Sequence, residues 1–185
     1  IRQATKSAPC TACPELDAET KLYNNLKLLG IAYAVEEHQA VFTVDESRDV
    51  NARLAGAHTK NLFLKDNGGQ FWLVTVPGEI RVDLKSLPAT IGSKRLSFGK
   101  SADLLRLLGL TPGSVTPLGA MNDIDGQVQV VLDRELAEAA TVWVHPLRNT
   151  ASLALAGGDL VRTLAGWNHD PQIADIPRST ESEVA

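Results

Sequence analysis

The stretch Asn61-Leu-Phe-Leu-Lys-Asp66-Asn-Gly-Gly69-Gln70-Phe-Trp-Leu-Val-Thr-Val76 decides the fold. Two β-rich runs, Asn61–Leu64 and Gln70–Val76, flank Asp66-Asn-Gly-Gly69. Asn-Gly and Gly-Gly reach the positive φ angles that a tight hairpin needs, so the spacing predicts an antiparallel pair. Upstream, Leu22, Leu26 and Leu29 recur at helical spacing, and Gly30 closes a helix from about Asp17 to Leu29. Ile31-Ala-Tyr-Ala-Val35 alternates as a short strand. Thr43-Val-Asp-Glu46 has the pattern of a capping box, which predicts a helix with Val50 and Leu54 inward, ending at Gly56.

Downstream, Leu104, Leu105, Leu107 and Leu108 form an apolar stripe, with Ser101 as N-cap and Gly109 as stop. Gln127–Leu132 and Thr141–Val144 read as strands separated by a helical turn rich in Glu and Ala. Residues 159–166 read as a helix and Ile173–Ile176 as a final strand. Strands and helices are interspersed without strict alternation. That favours α+β with a mixed, curved sheet over a doubly wound parallel sheet.

The chain has 185 residues, 44% of them apolar and 22% charged, which fits one globular domain. No linker or repeat divides it. The expected organisation is a lead-in over residues 1–15, one domain over 16–177 and a tail over 178–185. No run of about 18 apolar residues suggests a membrane span. Ile1 to Glu15 has no apolar stretch of the signal-peptide kind. The two cysteines, Cys10 and Cys13, both lie in that segment, so no disulfide scaffold is expected and a cytoplasmic setting is the default. The four histidines lack zinc-ligand spacing, and no metal site is expected.

Net charge is −4, against a general affinity for DNA. Residues 60–106 nevertheless carry eight Lys/Arg against four acids. A local basic face of this kind touches a few phosphates, or is ordinary solvated charge.

The chain has no G-x-S-x-G elbow, no H-E-x-x-H, no Walker A and no G-x-G-x-x-G. No cysteine stands in the expected domain to act as a nucleophile. The residues alone describe a domain that binds only, or one that catalyses an easy reaction by orientation and electrostatics.

Three segments taken together resemble the prolyl-tRNA editing-domain family of the YbaK and ProX type. They are Gly56-Ala-His-Thr-Lys60-Asn-Leu-Phe-Leu-Lys-Asp66, then Gly109-Leu-Thr-Pro-Gly113-Ser-Val-Thr-Pro117-Leu-Gly119 with Asn122-Asp123, then Trp143-Val-His145-Pro146-Leu-Arg-Asn149. Ile91-Gly-Ser-Lys-Arg-Leu-Ser-Phe-Gly99 adds to the likeness, which spans roughly residues 18–177. It implies a strongly curved, barrel-like sheet flanked by helices. It also implies a stand-alone deacylase that hydrolyses alanine from mischarged tRNA(Pro). Cysteinyl or another small aminoacyl-tRNA is the alternative substrate, and a non-catalytic tRNA-binding module is the alternative class.

The resemblance puts Lys60 in the cleft as the key lysine, where otherwise it reads as an exposed lysine at a strand end. An ammonium there holds an ester carbonyl or a phosphate. Asn61 follows as a polar contact, although strand alternation turns its side chain away from that of Lys60. Gly113, Ser114, Val115, Thr116 and Pro117 match a G-x-x-x-P loop whose amides hold the aminoacyl group and an attacking water. Gly and Pro there also suit a plain turn. His145 lies at the cleft beside the substrate or terminal ribose. Asn149 and Asn122 are weaker candidates that brace loops, and Ser97 and Phe98 line the cleft. Phe98 either stacks on the terminal adenine or is a core aromatic. The implied partners are the tRNA(Pro) 3′ end and acceptor stem, with prolyl-tRNA synthetase as a further possibility. Lys85, Lys94, Arg95 and Lys100 are the basic residues available to the stem. No metal and no organic cofactor is implied.

Overall fold

The computed structural model describes residues 17–40 and 54–179. The lead-in with Cys10 and Cys13, the end of the tail and most of the helix expected after Thr43–Glu46 lie outside the described residues; the expected last turn of that helix, Leu54 to Gly56, is not helical. Helix α1, Ala18–Leu28, starts where the Asp17 carboxylate accepts the Thr20 N–H at 2.9 Å, and it buries Leu22 and Leu26. Strand β1 is Ala34–Glu37, three residues later than the alternation suggests. Ile31 is buried as expected, but it precedes the strand and its N–H closes onto the Leu26 carbonyl.

Strand β2, Ala57–Asp66, pairs antiparallel with β3, Phe71–Pro77, around the expected turn. The turn is held by Asp66. Its buried carboxylate accepts the N–H groups of Gly68, Gln70 and Lys94 at 2.7, 3.1 and 3.2 Å. Burial alone would push this carboxyl up, but the three donors bring it below its ordinary value.

Helix α2, Leu87–Ile91, and strand β4, Leu96–Phe98, were not foreseen. Helix α3, Ser101–Leu108, buries Leu104, Leu107 and Leu108. Lys100 is its N-cap rather than Ser101, and Leu105 faces water. Gly109, with φ 65°, ends it as expected. A 3₁₀ helix, Pro117–Asn122, leads to β5, Val128–Asp133. Then come α4, Arg134–Glu138, and β6, Val142–Val144. Strand β7, Ala151–Leu155, α5, Gly157–Gly166, and β8, Gln172–Ala174, complete the set. Beyond them Arg178 forms an isolated antiparallel bridge with Val82.

Among the described residues one eight-stranded mixed sheet runs β1-β7-β6-β2-β3-β5-β8, with β4 on β2. The path ends at β1 and β8. The fold is therefore α+β with a mixed sheet between helices, as expected. Its faces carry separate apolar clusters. One has Leu22 and Leu26 of α1 and Leu160 and Leu164 of α5 against Leu132, Val142 and Leu153. A second has Leu104, Leu107 and Leu108 of α3 against Phe63, Phe71 and Leu73. A third has Leu87 and Ile91 of α2 against Leu64, Trp72, Val74 and Val76. The split follows the period of two along β2 and β3, since odd and even positions face opposite sides.

Candidate active site

Strand β2 has a fork along one edge. Its other edge pairs with β3 through residues 59–65. On the forked edge β6 pairs only with Ala57 and His58, and β4 only with Leu64, Lys65 and Asp66. Residues 59–63 lie where the two neighbours part. Lys60 and Asn61 sit in the middle of this fork.

Lys60 is half-buried, and its ammonium has no hydrogen-bond or ion-pair partner among the described residues. By alternation it shares a face with Leu62 and Leu64. Phe98 pairs with Leu64, so it stands on that face too. Phe98 is 65% exposed, which removes the core-aromatic alternative. The hydroxyl of Ser97 donates to the Lys65 carbonyl at 3.2 Å.

Asn61 leaves the opposite face, and both ends of its amide are bonded. Nδ2 donates to the Val115 carbonyl at 2.8 Å, and Oδ1 accepts the Thr75 hydroxyl at 2.8 Å. It ties the 113–117 loop to the sheet. Gly113 is exposed at φ 91°, a conformation that favours glycine. The Ser114 N–H closes a turn onto the Thr111 carbonyl at 3.0 Å. Thr116 is fully buried, and its hydroxyl caps the 3₁₀ helix at the Leu118 N–H with Pro117 in the first position. The loop is thus rigid at both ends. It and Lys60 flank the fork from opposite faces of β2. Asn122 donates to the Leu108 carbonyl at 2.8 Å and braces the end of α3.

His145 follows β6. The pairing of Ala57 with Val142 and His58 with Trp143 stops two residues short of His145, which leaves β6 at the fork. The His145 ring lies 3.2 Å from the Ala151 carbonyl through Nδ1. A carbonyl only accepts, so Nδ1 carries the hydrogen and Nε2 presents its lone pair. Burial pushes this imidazole below the ordinary histidine value; the Ala151 bond opposes the shift and His38 adds to it. The ring is neutral at pH 7.

Pro146 to Thr150 is pinned by Arg148. Its guanidinium bonds Glu19 of α1 at 2.9 Å, Glu37 of β1 at 2.8 Å and the Thr150 hydroxyl at 2.7 Å. Those carboxylates raise the arginine further above its ordinary value. Asn149 lies in this segment, half-buried.

His38 received no role in the sequence, and the structure brings it to the site. Its Nδ1 lies 2.8 Å from the Gln39 carbonyl and its Nε2 3.0 Å from the Ser152 hydroxyl. Ser152 falls opposite His145 when the β6–β7 pairing is continued by one residue. The partners are 114 residues apart, and no local pattern announces them. His58 stacks on Trp143 at 6.3 Å. His169 is buried against the Asp123 carbonyl at 2.7 Å, away from the fork. Among the described residues no three His, Cys, Asp or Glu side chains gather to hold a metal ion, and no helix is long and apolar enough to cross a membrane. A depression lined by Asp133, Glu135, Asp175 and Arg178 lies elsewhere, and the Arg134–Asp175 and Arg178–Glu135 ion pairs form part of its wall.

Residues 38–163 match the aminoacyl-tRNA editing domain family. The chain belongs to that family. It is 37% identical over 147 residues to the prolyl-tRNA editing protein ProX of Acetoanaerobium sticklandii, covering 79% of this chain and 90% of that protein. It is 38% identical over 167 residues to the prolyl-tRNA synthetase associated domain-containing protein 1 of Mus musculus, covering 88% and 97%. A crystal structure of a candidate trans-editing enzyme for prolyl-tRNA synthetase superposes with a TM-score of 0.68 at 21% identity, over 91% of this chain and all of that one. At that identity the superposition speaks for the fold alone. The matched region contains Lys60, the 113–117 loop and His145.

Proposed function

We propose that this editing domain is a trans-acting deacylase that hydrolyses the aminoacyl ester at the 3′ end of tRNA(Pro), with alanine as the misplaced residue. The observation that carries the reading is the fork of β2. There an unpartnered ammonium, Lys60, stands on one face of β2, the Gly113–Pro117 loop is tied to the other by Asn61, and the neutral imidazole of His145 follows the end of β6.

The ester is already activated, so a covalent intermediate is unnecessary. Lys60, on the face opposite the loop, holds the terminal phosphate as a point charge with three donors. Exposed backbone at Gly113 brings amides to the aminoacyl group and the developing oxyanion. The His145 Nε2 lone pair accepts a hydrogen bond from a substrate hydroxyl. A 2′-OH beside the ester is the natural donor, which accounts for a site without a strong protein base. Phe98 offers a stacking surface for the terminal adenine, and Lys94, Arg95 and Lys100 face the acceptor stem. The names of the relatives support the prolyl-tRNA context and an association with the synthetase. No metal is needed.

The test is the loss of labelled amino acid from alanyl-, cysteinyl-, seryl- and prolyl-tRNA(Pro) with and without the protein. Fast loss of alanine with the prolyl ester spared is expected. A faster cysteinyl or seryl reaction reassigns the substrate. No loss above the protein-free control from any ester, with tRNA still bound, replaces the enzyme by a binding module.

A further inference from the structure

Leu147 stands in an unusual place. Its φ is 67°. Among the described residues only Asn168 shares a positive φ without being glycine, and asparagine tolerates that region where a bulky branched side chain does not. A leucine held there is strained by its own Cβ. Strain of this kind persists only where the surroundings over-determine it, and it gathers at ligand sites.

The surroundings are explicit. Arg148, the next residue, is clamped to α1, β1 and Thr150. Pro146 before it is buried. The Leu147 side chain packs against two apolar clusters at once, the one under α1 and α5 and the one under α3. Val115, from the middle of the other site loop, packs against the second of these. Both side chains are only half-buried. Two loops that carry candidate site residues therefore each bring one apolar, half-exposed group to the same cluster.

We propose that Leu147 is the size gauge of the site. With Val115 it forms the apolar wall on which the aminoacyl side chain seats, and its bulk sets the largest side chain admitted. The ligand chemistry this wall fits is a small, uncharged aliphatic group. The inference rests on the deacylase reading and names its specificity residue. A pocket excludes what is too large by overlap, whereas it rejects what is too small only weakly. A bulky residue on a rigid backbone serves the first task, because a strained, clamped main chain does not step aside.

The experiment compares single-turnover hydrolysis of the alanyl, 2-aminobutyryl and prolyl esters on one tRNA(Pro). Wild type, Leu147→Ala, Leu147→Gly and Leu147→Met are used. Rates of the three esters are compared within each protein sample, so partial unfolding cancels from the ratios. Wild type should favour the alanyl ester. Leu147→Ala and Leu147→Gly should raise the larger esters relative to alanyl by about tenfold or more, while Leu147→Met keeps the wild-type order. Leu147→Gly guards against failure to fold, since glycine takes φ 67° without steric cost. Unchanged ratios in a folded Leu147→Gly protein overturn the inference alone. A wild-type protein that hydrolyses none of the three overturns the deacylase reading and this inference with it.

Discussion

At His145 one hydrogen bond fixes both the tautomer and the orientation of the ring. Burial favours the neutral form, so the folded value lies below the ordinary 6.5. The acceptor at Nε2 is therefore present at pH 7 and is lost only as pH falls through that lowered value. The acid limb of kcat/KM for deacylation should fall below pH 6.5, and His145→Gln should remove that limb; a limb above 6.5 contradicts the neutral-acceptor role. Asn61 makes a different prediction. Asn61→Ala leaves the fully buried Thr75 hydroxyl and the Val115 carbonyl without their partner. The cost should be about 1–3 kcal/mol, with a fall in Tm of about 2–4 °C for each. Deacylation should fall with it, since the loop is released; thermal unfolding and rate measured on the same sample decide it. Strand alternation in the sequence already turns Lys60 and Asn61 apart. That Asn61 is a brace was not readable, because its acceptor lies 54 residues away.

Among the elements, the β2–β3 hairpin was legible because turn chemistry is local. Asp66 extends that turn to a third partner, the Lys94 N–H before β4. Asp66→Asn keeps the shape but weakens three charge-assisted bonds. The carboxyl titrates below its ordinary 3.8 in the folded protein, so its stabilisation is present above that pH and fades as pH falls through the lowered value. The variant should melt several degrees lower at pH 7, and the gap should narrow below pH 3.8. A gap independent of pH refutes the ionic origin. Strand β7 escaped the sequence because all five of its residues are buried, so no polar alternation marks it. Strand β4 has three residues and α2 has five, too few for a period to show.

Over the whole molecule, the fold class was legible from interspersed strands and helices, and the site region from segments that carry glycine, proline and lysine. The fork was not, because it depends on where β6 stops and β4 begins, which is a matter of tertiary pairing. Charge is the remaining global feature. The excess of Lys/Arg over residues 60–106 gives an acidic protein one region suited to phosphates. Replacing Lys94, Arg95 and Lys100 by glutamine should weaken tRNA binding and lower the slope of log Kd against log salt between about 50 and 200 mM. An unchanged slope removes these three from the interface. The most direct test of the account is single-turnover release of labelled alanine from Ala-tRNA(Pro) by wild type and by Lys60→Ala. The account predicts rapid release by wild type and a collapse to near the protein-free rate in a variant that melts like wild type and still binds tRNA. Release by folded Lys60→Ala at the wild-type rate would contradict the placement of the reaction at the fork of β2.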